Sequence, residues 1–592
     1  MTSADVLSEY ENRIDAAQKG LASAYRYRTG TAILLGLSIL LACALFSLWA
    51  VLPHWWPPLA LPIVAETAWL FRRHCLTASR MYRLRLFYER GLQRVRGEWP
   101  GQGATGNEFA DADHVYARDL DVFGEGSLFE LLCTARCGAG RRGLAKYLLE
   151  APPLEETLAR QEAVRELSPR VDLRERVAVL GRHQSAESRW ETFEKWLELP
   201  AAPLDSKLRL ALLATSTALA GLTAAGLMAL CPWRTAASWI LWILVFHSAA
   251  GLYLRRRVNR MKGSLHVLSS ETRVLREGLQ LLARERFESA KLKGLAARVA
   301  SGAGPVRRLE LMLNALHETG KDWFYLPSLM LMLGAQLTAA IEDWRMRRGE
   351  RLRDWLAAWA EFEALNSLAC YAHENPEHIF PEFTEGEARF EASELGHPLL
   401  PREMCVRNDV GLNGQSRFYI ISGSNMSGKS RLLRAIGLNA VLARAGAPVR
   451  AGALRLSPLS VCASISVVDS LMNGRSKFLA EVERLRQTIE ESERTPVLFL
   501  IDEIFSGTNS QDRRTAAEAV VRTLIGRWAL GALSTHDLKL SEIAEEAALA
   551  GCNVHMGSRD GTDPMDFDYL LKPGVTRERN ALAIARMAGV PV

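Results

Sequence analysis

The sequence predicts a C-terminal α/β domain built on a parallel sheet, preceded by an all-α region and carrying four transmembrane helices in two hairpins. Three observations predict this. A glycine-rich loop, "SGSNMSGKS" (422–430), lies between an apolar β-type run and a helical segment. An uninterrupted apolar run, 497–501, ends in Asp502-Glu503 and has the character of a strand buried on both faces. Four charge-poor segments occur in two closely spaced pairs.

A chain of 592 residues implies three or more units. Lys+Arg 73 against Asp+Glu 67 leaves net +6, a mild excess that arginines flanking membrane segments explain better than nucleic-acid binding does. The nine cysteines are scattered; only Cys133 and Cys137 lie close together, which fits reduced cytosolic thiols better than a metal site. The stretch 1–30 is charged, with heptad-like apolar spacing and no secretory pattern. It reads as a cytosolic amphipathic helix.

The first hairpin spans 31–72. "TAILLGLSILLACALFSLWAVL" (31–52) carries no charge, whereas "LALPIVAETAWLF" (59–71) is shorter and contains Glu66. An acidic residue at mid-span costs roughly 2.5–3.5 kcal/mol on insertion scales, so this crossing requires a partner helix or a protonated carboxyl. The second hairpin, 208–254, joins two apolar runs through a short turn. Arg26, Arg28, Arg72, Arg73, Lys207, Arg209, Arg255, Arg256, Arg257, Arg260 and Lys262 flank the outer ends, and the turns hold only Arg234. The positive-inside rule then predicts a multi-pass protein of the inner (cytoplasmic) membrane, with both termini and the C-terminal domain in the cytoplasm. Trp49, Trp55, Trp56, Trp233 and Trp239 fit either an interfacial belt or ordinary packing. Glu66 and His247 are too few to line a transport pathway, which favours an anchor.

Between the hairpins, 73–207 reads as a mostly helical cytosolic region in which Gly138 and Gly140 mark a tight turn or close packing. Long amphipathic patterns fill 255–400 and suggest lever helices. Arg345, Arg347 and Arg348 read as a solvated helix face.

The block 401–592 carries the chemistry. The pattern G-x-x-x-x-G-K-[ST] arises by chance about 0.02 times in a chain this long. Here it spans Gly423, Ser424, Asn425, Met426, Ser427, Gly428, Lys429 and Ser430, in strand–loop–helix order. Glycines admit phosphates to backbone N–H groups, and the helix N-terminus favours their charge. Lys429 is expected on the β- and γ-phosphates of ATP, with the Ser430 hydroxyl on Mg²⁺. Asp502 fits a second Mg²⁺ ligand, and Glu503 the group that orients or deprotonates the attacking water. His536, in "STHD" after a short apolar run, falls at a strand's C-terminal end, where open α/β sheets gather ligands. It is expected to sense the γ-phosphate or the water. The block is therefore predicted to be a P-loop ATPase domain.

These stretches resemble the MutS ATPases of DNA mismatch repair. "GHPLL" (396–400), "SGSNMSGKS", "GRSKFLAEVERL" (474–485), "DEIFSGTNSQD" (502–512), "STHD" and "YLLKPGVTRERNALAIARMAGVP" (569–591) occur in the family's order. "GSLFELLCTARCGAGRRGLAKYLLEAP" (126–152) is similar to the family's core region that carries its levers. The resemblance implies a homodimer through the ATPase domain, with ATP and Mg²⁺ near the interface. It implies Ser476 as a contact to the partner subunit's γ-phosphate and Asn425 as a support for the phosphates; the residues alone fit a helix cap and a turn equally. Phe505, Ser506 and Asn509 replace residues usual in the signature loop, and Lys477 stands where Thr is common. The short N-terminal soluble stretch leaves no visible mismatch-reading wedge.

The expected function is a membrane-anchored MutS-like ATPase whose cycle moves lever helices, with DNA or another protein as its target. An ABC-type transporter-like ATPase and a membrane scaffold with nucleotide-gated dimerisation are the alternatives. The first lacks a Leu-Ser-Gly-Gly-Gln signature between Lys429 and Asp502.

Overall fold

A computed structural model describes residues 2–48, 59–181, 190–200, 204–228, 230–424, 426–465, 477–505, 510–557 and 566–576. The first two-thirds of the described chain is helical. It comprises α1 (Ser3–Ser47), α2 (Ala60–Arg96), α3 (Leu128–Leu132), α4 (Gly138–Leu149), α5 (Leu154–Leu167), α6 (Val171–Ala178) and α7 (Trp190–Glu198). There follow α8 (Ser206–Leu227), α9 (Trp233–Leu282), α10 (Ala290–Val299), α11 (Ala303–Glu318), α12 (Asp322–Met330) and α13 (Leu333–Glu374). Strands then alternate with helices: β1 (Glu382–Phe383), β2 (Phe390–Leu395), β3 (Asn408–Leu412), β4 (Phe418–Ser422), α14 (Lys429–Ala445), β5 (Ala453–Leu456), β6 (Ser460–Ser464) and α15 (Lys477–Ser492). The last are β7 (Val497–Asp502), α16 (Ser510–Gly526), β8 (Leu530–Thr535), α17 (Ser541–Ala544), β9 (Gly551–His555) and β10 (Lys572–Pro573). The chain forms two compact units. One is Met1–Thr134, Leu144–Val179 and Ala364–Val592; the other is Ala135–Gly143 and Leu180–Glu363.

In the first unit α1 opens with a reciprocal Thr2/Asp5 capping box, and α2 ends at Gly97 in the left-handed conformation. The two helices run antiparallel along one another. Ser38 Oγ meets Thr67 Oγ1 at 2.9 Å, Tyr27 stacks on His74, and Val6, Tyr10 and Tyr88 close the far end. That end is fixed by charge. Arg94 donates to both oxygens of Glu374, at 2.7 and 2.6 Å, and the Tyr10 hydroxyl joins the same carboxylate at 3.3 Å. Burial alone would lower the Arg94 pKa, but Glu374 outweighs it and raises it.

Among the described residues three helices, Ser3–Ser47, Ser206–Gly226 and Trp233–Leu265, are long and apolar enough to cross a membrane by length and composition. The expected fourth is not among them. From Ala60, α2 meets Arg72 and Arg73 after twelve residues, about 18 Å of helix against a hydrocarbon core of about 30 Å. Glu66 lies exposed within that stretch.

In the second unit α8 and α9 pair through Leu212, Ala250 and Leu254, with Met332 and Ala335 packed on them. Gly140 serves close packing, since a Cβ there would stand 2.0 Å from Glu363 Oε2. Arg345 departs from the expected solvated face. It is buried, donating to the carbonyls of Trp196 (2.5 Å) and Leu199 (2.8 Å) and pairing with Glu342. Arg347 and Arg348 are exposed. Periodicity did not separate Arg345 from them because its partners are distant carbonyls.

The α/β part of the first unit holds two sheets among the described residues. The smaller has strand order β1-β5-β2-β3. The larger runs β10-β9-β4-β8-β7-β6, parallel except for the β10 edge. The parallel strands β4, β6, β7 and β8 are buried almost throughout, as expected where helices cover both faces of a sheet. In register, Ser422 lies beside Thr535, and Asp502 beside Ser534. Three strands thus deliver their C-terminal ends to one place.

Candidate functional site

The site forms where β4, β8 and β7 end. Beyond β4 the chain turns through a loop in which two positions demand glycine. Gly423 has φ +152° and Gly428 φ +103°. A Cβ on Gly423 would stand 2.4 Å from the Met556 carbonyl oxygen, and one on Gly428 would stand 2.8 Å from the Tyr569 ring. Gly428 caps α14, whose first N–H groups face the loop without helical partners. Met426 is exposed, at φ +73°.

Lys429 folds back over the loop. Its ammonium donates to the carbonyls of Gly423 and Ser424, each at 2.9 Å. Burial pulls the Lys429 pKa below its ordinary value, while Asp502 and Glu503 oppose that shift. The Ser424 and Ser427 hydroxyls are buried without hydrogen-bond partners. Unsatisfied donors at a helix N-terminus fit an anionic phosphate.

Asp502, the last residue of β7, is held on both sides: the Ser430 hydroxyl donates to Oδ2 and the Ser534 hydroxyl to Oδ1. The Ser430 and Asp502 oxygens form a hard donor set of the kind Mg²⁺ takes. Glu503 follows at φ +52°, with its N–H 3.2 Å from the Ser534 carbonyl. His536 Nε2 lies 2.6 Å from Glu503 Oε1 and 3.5 Å from Lys429 Nζ.

The structure therefore brings together Lys429, Ser430, Asp502, Glu503 and His536, from three strand ends. Asn425 and Ser476 lie outside the described residues, as do Ser506 and Asn509. Two neighbours escaped the sequence reading. Ser534 was hidden because only strand register places it beside Asp502. Glu481 sits inside a motif already read, and it accepts the Phe505 N–H. Phe505 itself takes φ +53°, a conformation natural to glycine, and its ring is buried 6.0 Å from that of Phe478. Packing there holds a strained backbone in place.

His397, of "GHPLL", is buried beside this region and lines a small pocket with Gly428, Arg431 and Tyr569. Burial, reinforced by Arg434, Arg431 and Arg450, pulls its imidazole down to about 3.

A family model of MutS domain V matches residues 419–592. The chain is 31% identical over 262 residues to the DNA mismatch repair protein MSH6 of Arabidopsis thaliana, covering 41% of this chain and 20% of that protein. It is 28% identical over 298 residues to the DNA mismatch repair protein MutS 1 of Halobacterium salinarum, covering 49% of this chain and 34% of that protein. The chain thus spans between a fifth and a third of the length of these relatives. The matched domain begins on β4 and runs through the cluster of Lys429, Ser430, Asp502, Glu503 and His536, so the likeness to MutS domain V falls on the residues of the site itself.

Proposed function

We propose that this protein is a membrane-anchored MutS-type ATPase, which couples ATP binding and hydrolysis to movement of its long helices and acts on DNA or a DNA-bound partner. The observation that carries this is the convergence of Lys429, Ser430, Asp502, Glu503 and His536 on the ends of β4, β7 and β8. Lys429 and the loop N–H groups hold the phosphates, and Ser430 and Asp502 hold Mg²⁺. When bound, that ion neutralises charge on the phosphate oxygens. Glu503 takes the proton of the attacking water, while His536 fixes the carboxylate that accepts it. Asn425 supports the phosphates, and Ser476 completes the site of a second copy in a homodimer.

The anchor rests on the three apolar helices and on the outward Leu34, Leu37, Leu40, Leu241 and Trp242. Aqueous surfaces do not tolerate apolar patches of that extent. The second hairpin does not read as a transport route, because His247 is tied to Thr215 and to the Met330 carbonyl. A role in mismatch repair is drawn from the relatives' names.

The test uses the full chain in lipid nanodiscs, with ATP turnover and duplex-DNA binding measured across a salt series, with and without nucleotide. The reading predicts Mg²⁺-dependent turnover and ATP-dependent binding that weakens as salt rises. Absence of turnover sinks the enzyme. Absence of DNA binding at low salt leaves a protein as the target.

A further inference from the structure

Between Asp322 and Glu342 lie nineteen consecutive residues without a charge, "WFYLPSLMLMLGAQLTAAI". They are not one helix. α12 stops at Met330, Met332 takes φ +53°, and α13 starts at Leu333. The result is a helix–turn–helix of apolar residues.

Its turn packs against α8 and α9. Met332 and Ala335 join Leu212, Ala250 and Leu254, and the Leu331 carbonyl accepts from Ser216 Oγ at 2.9 Å. Ser216 lies seven residues beyond Arg209, and His247 eight before Arg255. At the helical rise these are about 10 and 12 Å inside the cationic rim of the hairpin. Half the hydrocarbon core is about 15 Å.

A broken helix at such depth leaves carbonyls that lipid cannot hydrogen-bond, so it persists only where protein groups satisfy them. Here they are satisfied. His247 Nδ1 donates to the Met330 carbonyl at 2.7 Å, and Gln336 Nε2 donates to Leu331 at 3.0 Å and to Ser216 Oγ at 3.1 Å. The Leu331 and Met332 N–H groups reach the Pro327 and Leu329 carbonyls at 3.1 Å. The outward face of α12 is apolar: Leu326 is 63% exposed and Leu329 52%.

We infer that α12, the 330–332 turn and the start of α13 enter the acyl region of the bilayer as a re-entrant wedge seated on the α8–α9 hairpin. The inference rests on the membrane reading of that hairpin. Lipid covers Leu326 and Leu329, while Ser216, His247 and Gln336 replace the water that the turn would otherwise need.

The experiment places p-acetylphenylalanine at Leu329, Leu326, Leu241 and Met404, one at a time, and couples each to a ketoxime spin label in nanodisc-embedded protein. Accessibility to oxygen, which concentrates in lipid, is compared with accessibility to a water-soluble nickel chelate. Labels at 329 and 326 are expected to favour oxygen as strongly as the span label at 241, with 404 favouring nickel. Nickel preference at both 329 and 326 with oxygen preference at 241 overturns the wedge alone. Nickel preference at 241 overturns the anchor, and the wedge with it.

Discussion

His536 and Glu503, thirty-three residues apart in sequence, meet at 2.6 Å because β8 and β7 are parallel neighbours whose ends fall level. The contact holds one oxygen of the carboxylate, Oε1. His536→Asn is therefore expected to lower kcat by less than the roughly 10²–10⁴-fold loss of the general base itself, while leaving nucleotide affinity unchanged. Steady-state turnover beside equilibrium nucleotide binding separates the two. An equal loss in both would make His536 a binding residue instead.

Asp502 is clasped by Ser430 and Ser534, and only Ser430 belongs to the phosphate loop. Ser534 supports the carboxylate from behind, as partners of metal ligands do. Ser534→Ala is expected to raise the Mg²⁺ concentration for half-maximal turnover by about 10–100-fold, with saturating activity largely restored. A Mg²⁺ titration reads this directly. Asp502→Asn is expected to leave little activity at any Mg²⁺ concentration.

The buried His397 sets an acid limit on stability. Its Nδ1 accepts the Leu399 N–H at 3.3 Å, so the ring must be unprotonated at that atom. The folded pKa of about 3 lies below the unfolded value of 6.5. The unfolded chain therefore binds the extra proton first as pH falls. The stability from this group is complete above pH 6.5 and is lost as pH falls from 6.5 toward 3, at about 1.4 kcal/mol per unit. His397→Asn retains an acceptor and removes the titration. The variant is expected to lose less Tm than the wild type between pH 7 and pH 5; an identical loss would refute the assignment.

The residues that meet at the strand ends were legible in the sequence because each half of the cluster is contiguous. Gly423 to Ser430 must be one loop, and Asp502-Glu503 must end one apolar strand. What joins them was not legible. Ser534 has no motif of its own, and it takes its place through the pairing of β8 with β7. Phe505 looked like a simple departure in a signature loop, yet its ring is buried and its φ is that of a glycine. The apolar segments were read by composition, which gave α1, α8 and α9 their length. Among the described residues α2 does not reach that length, since Arg72 and Arg73 follow twelve residues after its start. Composition also passed over α12 and the start of α13, because a turn at Met332 divides them.

The most direct measurement compares the wild-type chain with Glu503→Gln, recording ATP binding and ATP turnover on the same nanodisc preparations. Glutamine preserves the shape of Glu503 and removes its basicity. The wild type is expected to bind and hydrolyse Mg·ATP. The variant is expected to bind with similar affinity and hydrolyse at least about 100-fold more slowly. Equal turnover in the two proteins, or no nucleotide binding by either, would contradict the assignment of this site as a hydrolytic one.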